Sequence, residues 1–203
     1  MTICIGRQYG SGGREVGEYL AKKLGIPCYD KLLVSQSAKE AGMSEEHMSQ
    51  TEERADATAW MLSGNPFADS AAIAHNFYTP SQRIFDAERD TICRLANQGD
   101  CVIVGRCASD ILGRENCYSV FIYASEHSRL ERVQKRNDLT PKLAAQRLRR
   151  VDRLRKQYFD FYAGTRWGHP ESYDLMLDSD THGVEGCAEV ILAGLKQWEA
   201  QHE

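Results

Sequence analysis

Residues 5–17 read IGRQYGSGGREVG, and this stretch decides the fold. The apolar run TICI at residues 2–5 leads into it, and Val16, Leu20 and Leu24 follow at helical spacing. The order strand, glycine-rich loop, helix is suited to phosphate, because the loop N–H groups point inward and the helix N-terminus adds partial positive charge. The candidate phosphate-binding residues are Gly10, Ser11, Gly12, Gly13, Arg14 and Glu15.

The loop lacks the lysine of the usual pattern G-x-x-x-x-G-K-[ST]. If Gly12 is the second glycine of that pattern, Arg7 stands at the first glycine and Gly13 stands at the lysine. If Gly13 is the second glycine, Arg14 replaces the lysine, and we expect Arg14 to supply the missing charge. The alternative is a purely structural turn. The dinucleotide pattern G-x-G-x-x-G is not met.

Apolar runs alternate with helical patterns along the rest of the chain. The run CVIVGR is too apolar for a half-exposed strand and predicts a buried parallel one. Strands are predicted at 2–5, 26–30, 101–106, 117–124 and 173–180, and helices at 13–25, 44–62, 81–99, 125–137, 140–164 and 183–198. This alternation predicts an α/β fold with a parallel sheet covered on both faces. The 203 residues fit one domain.

Composition excludes several classes of protein. The chain is 42% hydrophobic and 27% charged, as is common for soluble domains. It has no apolar run near ~18 residues, so we expect no membrane span, and its start does not resemble a secretion signal. The seven cysteines are scattered without a CxxC pair, which favours reduced, buried thiols in a cytoplasmic protein and disfavours a zinc site.

Charge is unevenly distributed along the chain. Residues 129–156 hold eleven basic and three acidic side chains, a net charge of +8. The whole chain carries −4, so the remainder carries −12. This asymmetry predicts an anionic ligand for the basic segment. Nucleic-acid binding through a basic helix at 129–156 is a weaker alternative, because the remainder is acidic and the segment lacks interleaved aromatic residues.

Four motifs together resemble the cytidylate kinase-like family of P-loop proteins. They are GRQYGSGGREVG at 6–17, GIPCYDKLL at 25–33, CVIVGRCASDIL at 101–112, and DRLRKQYFDFYAG at 152–164 followed by YDLMLDSD. The resemblance implies a three-layer P-loop fold with a five-stranded parallel sheet, an acceptor-binding insert at about 31–80 and a lid at about 138–168. It also implies transfer of the γ-phosphoryl group of ATP, with Mg²⁺, to a nucleoside monophosphate or a related small phosphorylated acceptor.

The same resemblance implies further site residues. Arg106 matches the family arginine that holds the acceptor's phosphate, and Asp152 and Arg155 match a lid and acceptor signature. Arg149 lies near the preceding lid arginine, on one helix face with Asp152 and Arg155. Lid arginines would close over the transferring phosphoryl group and exclude water. Asp30 would orient the acceptor or hold magnesium through water, or else cap the helix after it.

Several positions depart from the family pattern. Cys107 replaces an aspartate that helps to read cytosine, Val104 stands where an acidic residue is expected, and Gln36 aligns near an expected arginine. The base of the acceptor therefore stays open. With the lysine also absent, a non-catalytic nucleotide-binding module that senses its ligand is the alternative function.

Overall fold

A five-stranded parallel sheet organises the protein. The structure, a computed structural model, describes residues 1–30 and 80–202. The strands are β1 (Thr2–Arg7), β2 (Cys28–Tyr29), β3 (Cys101–Val104), β4 (Tyr118–Tyr123) and β5 (Leu175–Asp178), and their order in the sheet is β2-β3-β1-β4-β5. Every pairing is parallel. The predicted α/β class and five-stranded parallel sheet are confirmed.

Helices connect the strands. The described helices are α1 (Gly13–Leu24), α2 (Pro80–Gln98), α3 (Ala108–Leu112), α4 (Glu126–Asn137), α5 (Pro141–Tyr162) and α6 (Ser179–His202), with a 3₁₀ turn at Pro170–Ser172. Helix α5 begins with a cap, since the Thr140 side chain accepts from the Leu143 N–H and Pro141 opens the helix. None of these helices is both long and apolar enough to cross a membrane.

The nucleic-acid-binding alternative assumed that the basic segment 129–156 is one helix. In the structure this segment is divided between two helices. Helix α4 ends at Asn137, its C-cap Asp138 has a left-handed φ of 49°, and α5 begins at Pro141. The basic side chains are thus divided between two helices. The predicted helix at 44–62 and nearly all of the predicted insert at 31–80 lie outside the described residues.

Residues 1–30 and 92–203 form one compact unit, and residues 31–91 form another. The site described below lies within the first unit. A single domain carrying an acceptor-binding insert and a lid stays a prediction.

The core lies on both faces of the sheet, which explains the continuous apolar strands. Ile3 of β1 pairs in register with Val102 of β3 and Tyr118 of β4, and all three are buried. On one face these strands pack against α1 and α6. On the other face Phe121 packs against Phe159 of α5. Because the strands are parallel, the segments that follow them all leave from one edge of the sheet, which is where such sheets bind ligands.

Candidate active site

The loop between β1 and α1 forms a tight cradle. Gly10 and Gly12 have φ of 78° and 82°, which are left-handed and favour glycine. Ser11 is buried, and its Oγ donates to the Gln8 carbonyl at 2.9 Å. Gly12 is the N-cap of α1, so the first N–H groups of that helix have no partner within it and face the loop opening.

Two glycines of this loop are required by close packing. A Cβ atom on Gly10 would lie 2.9 Å from the Arg129 carbonyl oxygen. A Cβ atom on Gly13 would lie 2.6 Å from the Cβ of Arg7. The cradle is therefore backed by α4 on one side and by the Arg7 side chain on the other.

Helices α4 and α5 hold the loop through Asp152. Its Oδ1 accepts from the Tyr9 N–H at 2.6 Å, and its Oδ2 accepts from Arg129 Nη1. The same Arg129 nitrogen lies 3.4 Å from the Tyr9 carbonyl, to which it donates. Asp152 and Arg129 thus form a nearly buried ion pair whose polar atoms are directed at the backbone of the loop.

The start of α6 holds the loop from another side. Ser179 Oγ donates to the Ser11 carbonyl at 2.6 Å. Arg132 Nη1 lies 3.2 Å from Ser179 Oγ and 3.4 Å from the Gly10 carbonyl, and it donates to both. The loop conformation is thus fixed by side chains from three helices.

A cleft of about 550 Å³ opens in front of the loop, within the range of ligand pockets. Cationic side chains dominate its wall: Arg7, Arg14, Arg132, Lys135, Arg136 and Arg155. The carboxylates that line it are Glu15 and Asp30. The guanidinium groups of Arg136 and Arg155 lie 5.5 and 5.6 Å from the centre of the Tyr9 ring. The cleft is suited to a highly anionic ligand.

Burial perturbs two of these arginines. Burial, together with the nearby charge of Arg7, lowers the pKa of Arg155 to about 9. Burial also lowers the pKa of Arg7, the neighbouring Arg106 and Arg14 add to that effect, and Asp30 opposes it. Arg155 Nη1 donates to the Arg7 carbonyl at 3.1 Å. Cations are thus held close together away from water, which is unfavourable unless an anion compensates them.

Comparison with known proteins identifies the family. The model of the cytidylate kinase-like family matches residues 2–181. The chain belongs to the cytidylate kinase-like family. Among curated proteins none matches this chain.

Solved structures share the fold of this cytidylate kinase-like protein. An uncharacterized protein from Eubacterium ventriosum ATCC 27560 is 26% identical with a TM-score of 0.70, and the match covers 97% of this chain and 98% of that one. Shikimate kinase from Bacteroides thetaiotaomicron is 12% identical with a TM-score of 0.57, covering 97% and 98%. Shikimate kinase from Acinetobacter baumannii, in complex with shikimate, is 14% identical with a TM-score of 0.51, covering 97% and 93%. Membership of this family and the shared fold together support nucleotide-dependent phosphoryl transfer of the kinase type, without specifying the substrate.

Most of the site residues expected from the loop motif and the family resemblance lie at the cleft. Those that line it are Gly10, Gly12, Gly13, Arg14, Glu15, Asp30 and Arg155. Ser11 is buried within the loop, and Asp152 lies behind it. Arg106 follows β3, with a left-handed φ of 59° between Gly105 at 85° and Cys107 at 54°.

Arg149 is not brought to the cleft. Its side chain is 75% exposed on α5 and pairs with Glu126 at 3.3 Å. The sequence predicts an anionic ligand for the basic segment 129–156 as a whole, but no individual site residue on α4. The cations of this helix are Arg129, Arg132, Lys135 and Arg136. Their spacing of three and four residues, which places them on one helix face, is the signal that could have found them.

Proposed function

We propose that this protein transfers the γ-phosphoryl group of ATP to a nucleoside monophosphate or a related small phosphorylated acceptor. The observation that carries the proposal is the excess of arginine over carboxylate around the glycine loop, at the carboxyl edge of a parallel sheet. Phosphoryl transfer requires positioning and charge neutralisation more than covalent chemistry from the protein. A loop of N–H groups faced by arginines provides both.

The donor phosphates fit the loop and the helices beside it. Loop N–H groups and the N-terminus of α1 would hold the β- and γ-phosphates, as helix N-termini do for many anions. Arg132 and Arg136, which line the same cleft from α4, would neutralise the remaining charge of the polyphosphate. Arg155 adds a further cation from α5. Asp152 would support this donor site by holding the loop.

The acceptor would lie beside the ends of β2 and β3. Asp30 follows β2, and Arg106 follows β3 near enough to Arg7 to affect its pKa. Arg106 would hold the acceptor's phosphate, and Asp30 would orient its hydroxyl or base. Cys107 in place of the family's aspartate leaves the base open, and the neighbouring shikimate kinase in complex with shikimate is a reason to include an acceptor without a base in the test.

Magnesium would arrive with the ATP. Among residues 1–30 and 80–202 no group of three or more His, Cys, Asp or Glu side chains could hold a metal ion. Mg²⁺ keeps several waters and binds through substrate phosphates plus one or two carboxylates, so a dedicated cage is not required. Asp30 and Glu15 are the cleft carboxylates that would hold it through water.

The second candidate is a nucleotide sensor without turnover, and the absent lysine favours it. The test incubates the protein with ATP, Mg²⁺ and each ribo- and deoxynucleoside monophosphate, and with shikimate, while ADP is measured. Arg106→Ala should abolish acceptor-dependent ADP formation, whereas Arg147→Ala, an exposed arginine of α5, should not. Arg149→Ala tests whether Arg149, the lid arginine expected from the family resemblance, takes part in turnover. A rise in melting temperature with ATP, without ADP from any acceptor, would favour the sensor.

A further inference from the structure

The Arg7 side chain occupies space that a side chain at position 13 would need. A Cβ atom on Gly13 would lie 2.6 Å from the Cβ and 3.1 Å from the Cγ of Arg7. Further along, a Cβ atom on Gly105 would lie 1.8 Å from Arg7 Nη1. Arg7 therefore extends through a channel bounded by two glycines, and a lysine at position 13 is sterically excluded while Arg7 is present.

The guanidinium of Arg7 is held in place at the cleft. Only 17% of the side chain is exposed, and Nη2 lies 3.4 Å from Asp30 Oδ1. Arg155 fixes the backbone at this point through its bond to the Arg7 carbonyl. A cation held this way needs little rearrangement when an anion binds, which is the condition for effective charge stabilisation.

Arg14, the other candidate for the lysine's role, is placed differently. Its side chain is 40% exposed, and its Nε donates to Glu18 of the same helix at 2.9 Å. It also lies 3.6 Å from Asp30, so Arg7 and Arg14 share that carboxylate. Arg14 thus has Glu18 as a second and closer carboxylate partner, whereas among the described residues Asp30 is the carboxylate paired with the less exposed Arg7. The charge of Arg7 is therefore the less fully compensated of the two and remains available to an anion.

We infer that Arg7 is the functional replacement for the missing loop lysine and contacts the β- and γ-phosphates of the bound nucleotide. This inference rests on the proposed function only in taking a nucleotide polyphosphate as the ligand. It assigns to Arg14 the separate part of holding Asp30. The loop thus keeps its cation but carries it at the first position of the pattern instead of the seventh.

The test moves the positive charge of the loop from position 7 to position 13. Arg7→Gly combined with Gly13→Lys recreates G-x-x-x-x-G-K at residues 7–13 and removes the conflict with the Arg7 side chain, which leaves the Cβ of Ile122, at 3.2 Å, as a close neighbour of the new Cβ atom. Arg7→Gly alone should weaken ATP binding roughly 10–100-fold, the effect of one charge-assisted contact. It should reduce any turnover about 10²–10³-fold. Gly13→Lys alone should also lose binding, and the double variant should recover at least about tenfold over Arg7→Gly, a coupling that independent sites do not show.

Matched variants distinguish loss of the Arg7 charge from loss of the folded structure. Arg7→Met keeps the length of the side chain without its charge and should lose binding like Arg7→Gly. Arg14→Ala should lose less ATP affinity than Arg7→Met, because Arg14 is the more exposed of the two and is also paired with Glu18. Arg147→Ala, an exposed arginine of α5, should stay within about threefold of wild type. Circular dichroism and urea unfolding establish that each variant is folded. A folded double variant that binds no better than Arg7→Gly, or an Arg14→Ala loss equal to that of Arg7→Met, would overturn the inference.

Binding is measured by calorimetry with ATP and with inorganic tripolyphosphate, so the result does not depend on an acceptor or on turnover. If wild type binds ATP but forms no ADP, the proposed phosphoryl transfer is wrong. The role of Arg7 is then still tested by comparing the affinities of wild type and the variants for ATP and tripolyphosphate. If wild type turns over and Arg7→Met does so equally well, the Arg7 assignment fails alone. If wild type binds neither probe, both are wrong.

Discussion

Replacement of Asp152 by alanine tests how the loop is held. Asp152 is 16% exposed and its partner Arg129 is 10% exposed. Its carboxylate accepts from the Tyr9 N–H and from Arg129, and among the described residues no group accepts from the buried Nε of Arg129. The substitution would leave a nearly buried guanidinium without its counter-charge and a backbone N–H of the loop without its acceptor.

The expected loss of stability follows from that burial. Removing one partner of a buried ion pair costs about 3–5 kcal/mol, and the residual exposure of both groups places Asp152→Ala near the lower end, about 3 kcal/mol. In a chain of this length each kcal/mol lowers the melting temperature by roughly 2–4 °C, so we expect a decrease of roughly 6–12 °C. Asp152→Asn keeps an acceptor for Tyr9 and should fall between wild type and alanine.

The measurement is urea and thermal unfolding without ligand, with Arg149→Ala as the control. That control removes a pair on the same helix whose side chains are 75% and 53% exposed, for which about 0–0.5 kcal/mol is expected. If Asp152→Ala and Arg149→Ala differ by less than about 1 kcal/mol, Asp152 does not anchor the loop and our account of it is wrong.

Two further predictions concern the loop and a nearby thiol. Gly13→Ala should lower the free energy of unfolding by about 1–3 kcal/mol because its Cβ would meet Arg7, whereas Gly186→Ala in α6, with its nearest contact at 3.4 Å, should raise it by up to ~1 kcal/mol. Urea unfolding measures both, and a change of equal sign and size at the two sites would refute the packing argument. Burial raises the pKa of Cys28 to about 11, with Glu18 and Asp30 adding to the effect. Since only the thiolate reacts, the iodoacetamide rate at Cys28, followed by peptide mass spectrometry, should keep rising about tenfold per pH unit to near pH 11. A plateau near pH 9 would contradict this.

The sheet and most of its helices could be predicted because their signals are local. A buried parallel strand must be apolar on both faces, and β3 shows this over four consecutive residues. The cap at Thr140 and Pro141 likewise depends on neighbouring residues alone. The end of β5 was placed two residues too late, since α6 already begins at Ser179, where Asp178 accepts from the Asp180 N–H. The five-residue helix α3 is too short to show a helical period, so the sequence does not predict it.

The site could be predicted only in part. The glycine loop is visible in sequence because its conformation demands glycine at fixed positions. The bond between Tyr9 and Asp152 joins residues 143 positions apart, so no local pattern encodes it. Arg7 was overlooked for a related reason: a motif records which residue stands at the lysine position, but not which side chain fills the space that glycine leaves there.

The turn after β3 has a consequence for protein engineering. Arg106 and Cys107 both hold left-handed backbone conformations that cost an ordinary residue about 1–2 kcal/mol each and cost glycine little. A screen for thermostable variants would therefore select glycine or asparagine at these positions. The same variants would remove the arginine proposed to hold the acceptor. At position 106, selection for heat resistance should enrich glycine or asparagine, whereas selection for turnover should retain arginine. Libraries sorted by the two criteria would therefore diverge first at this turn.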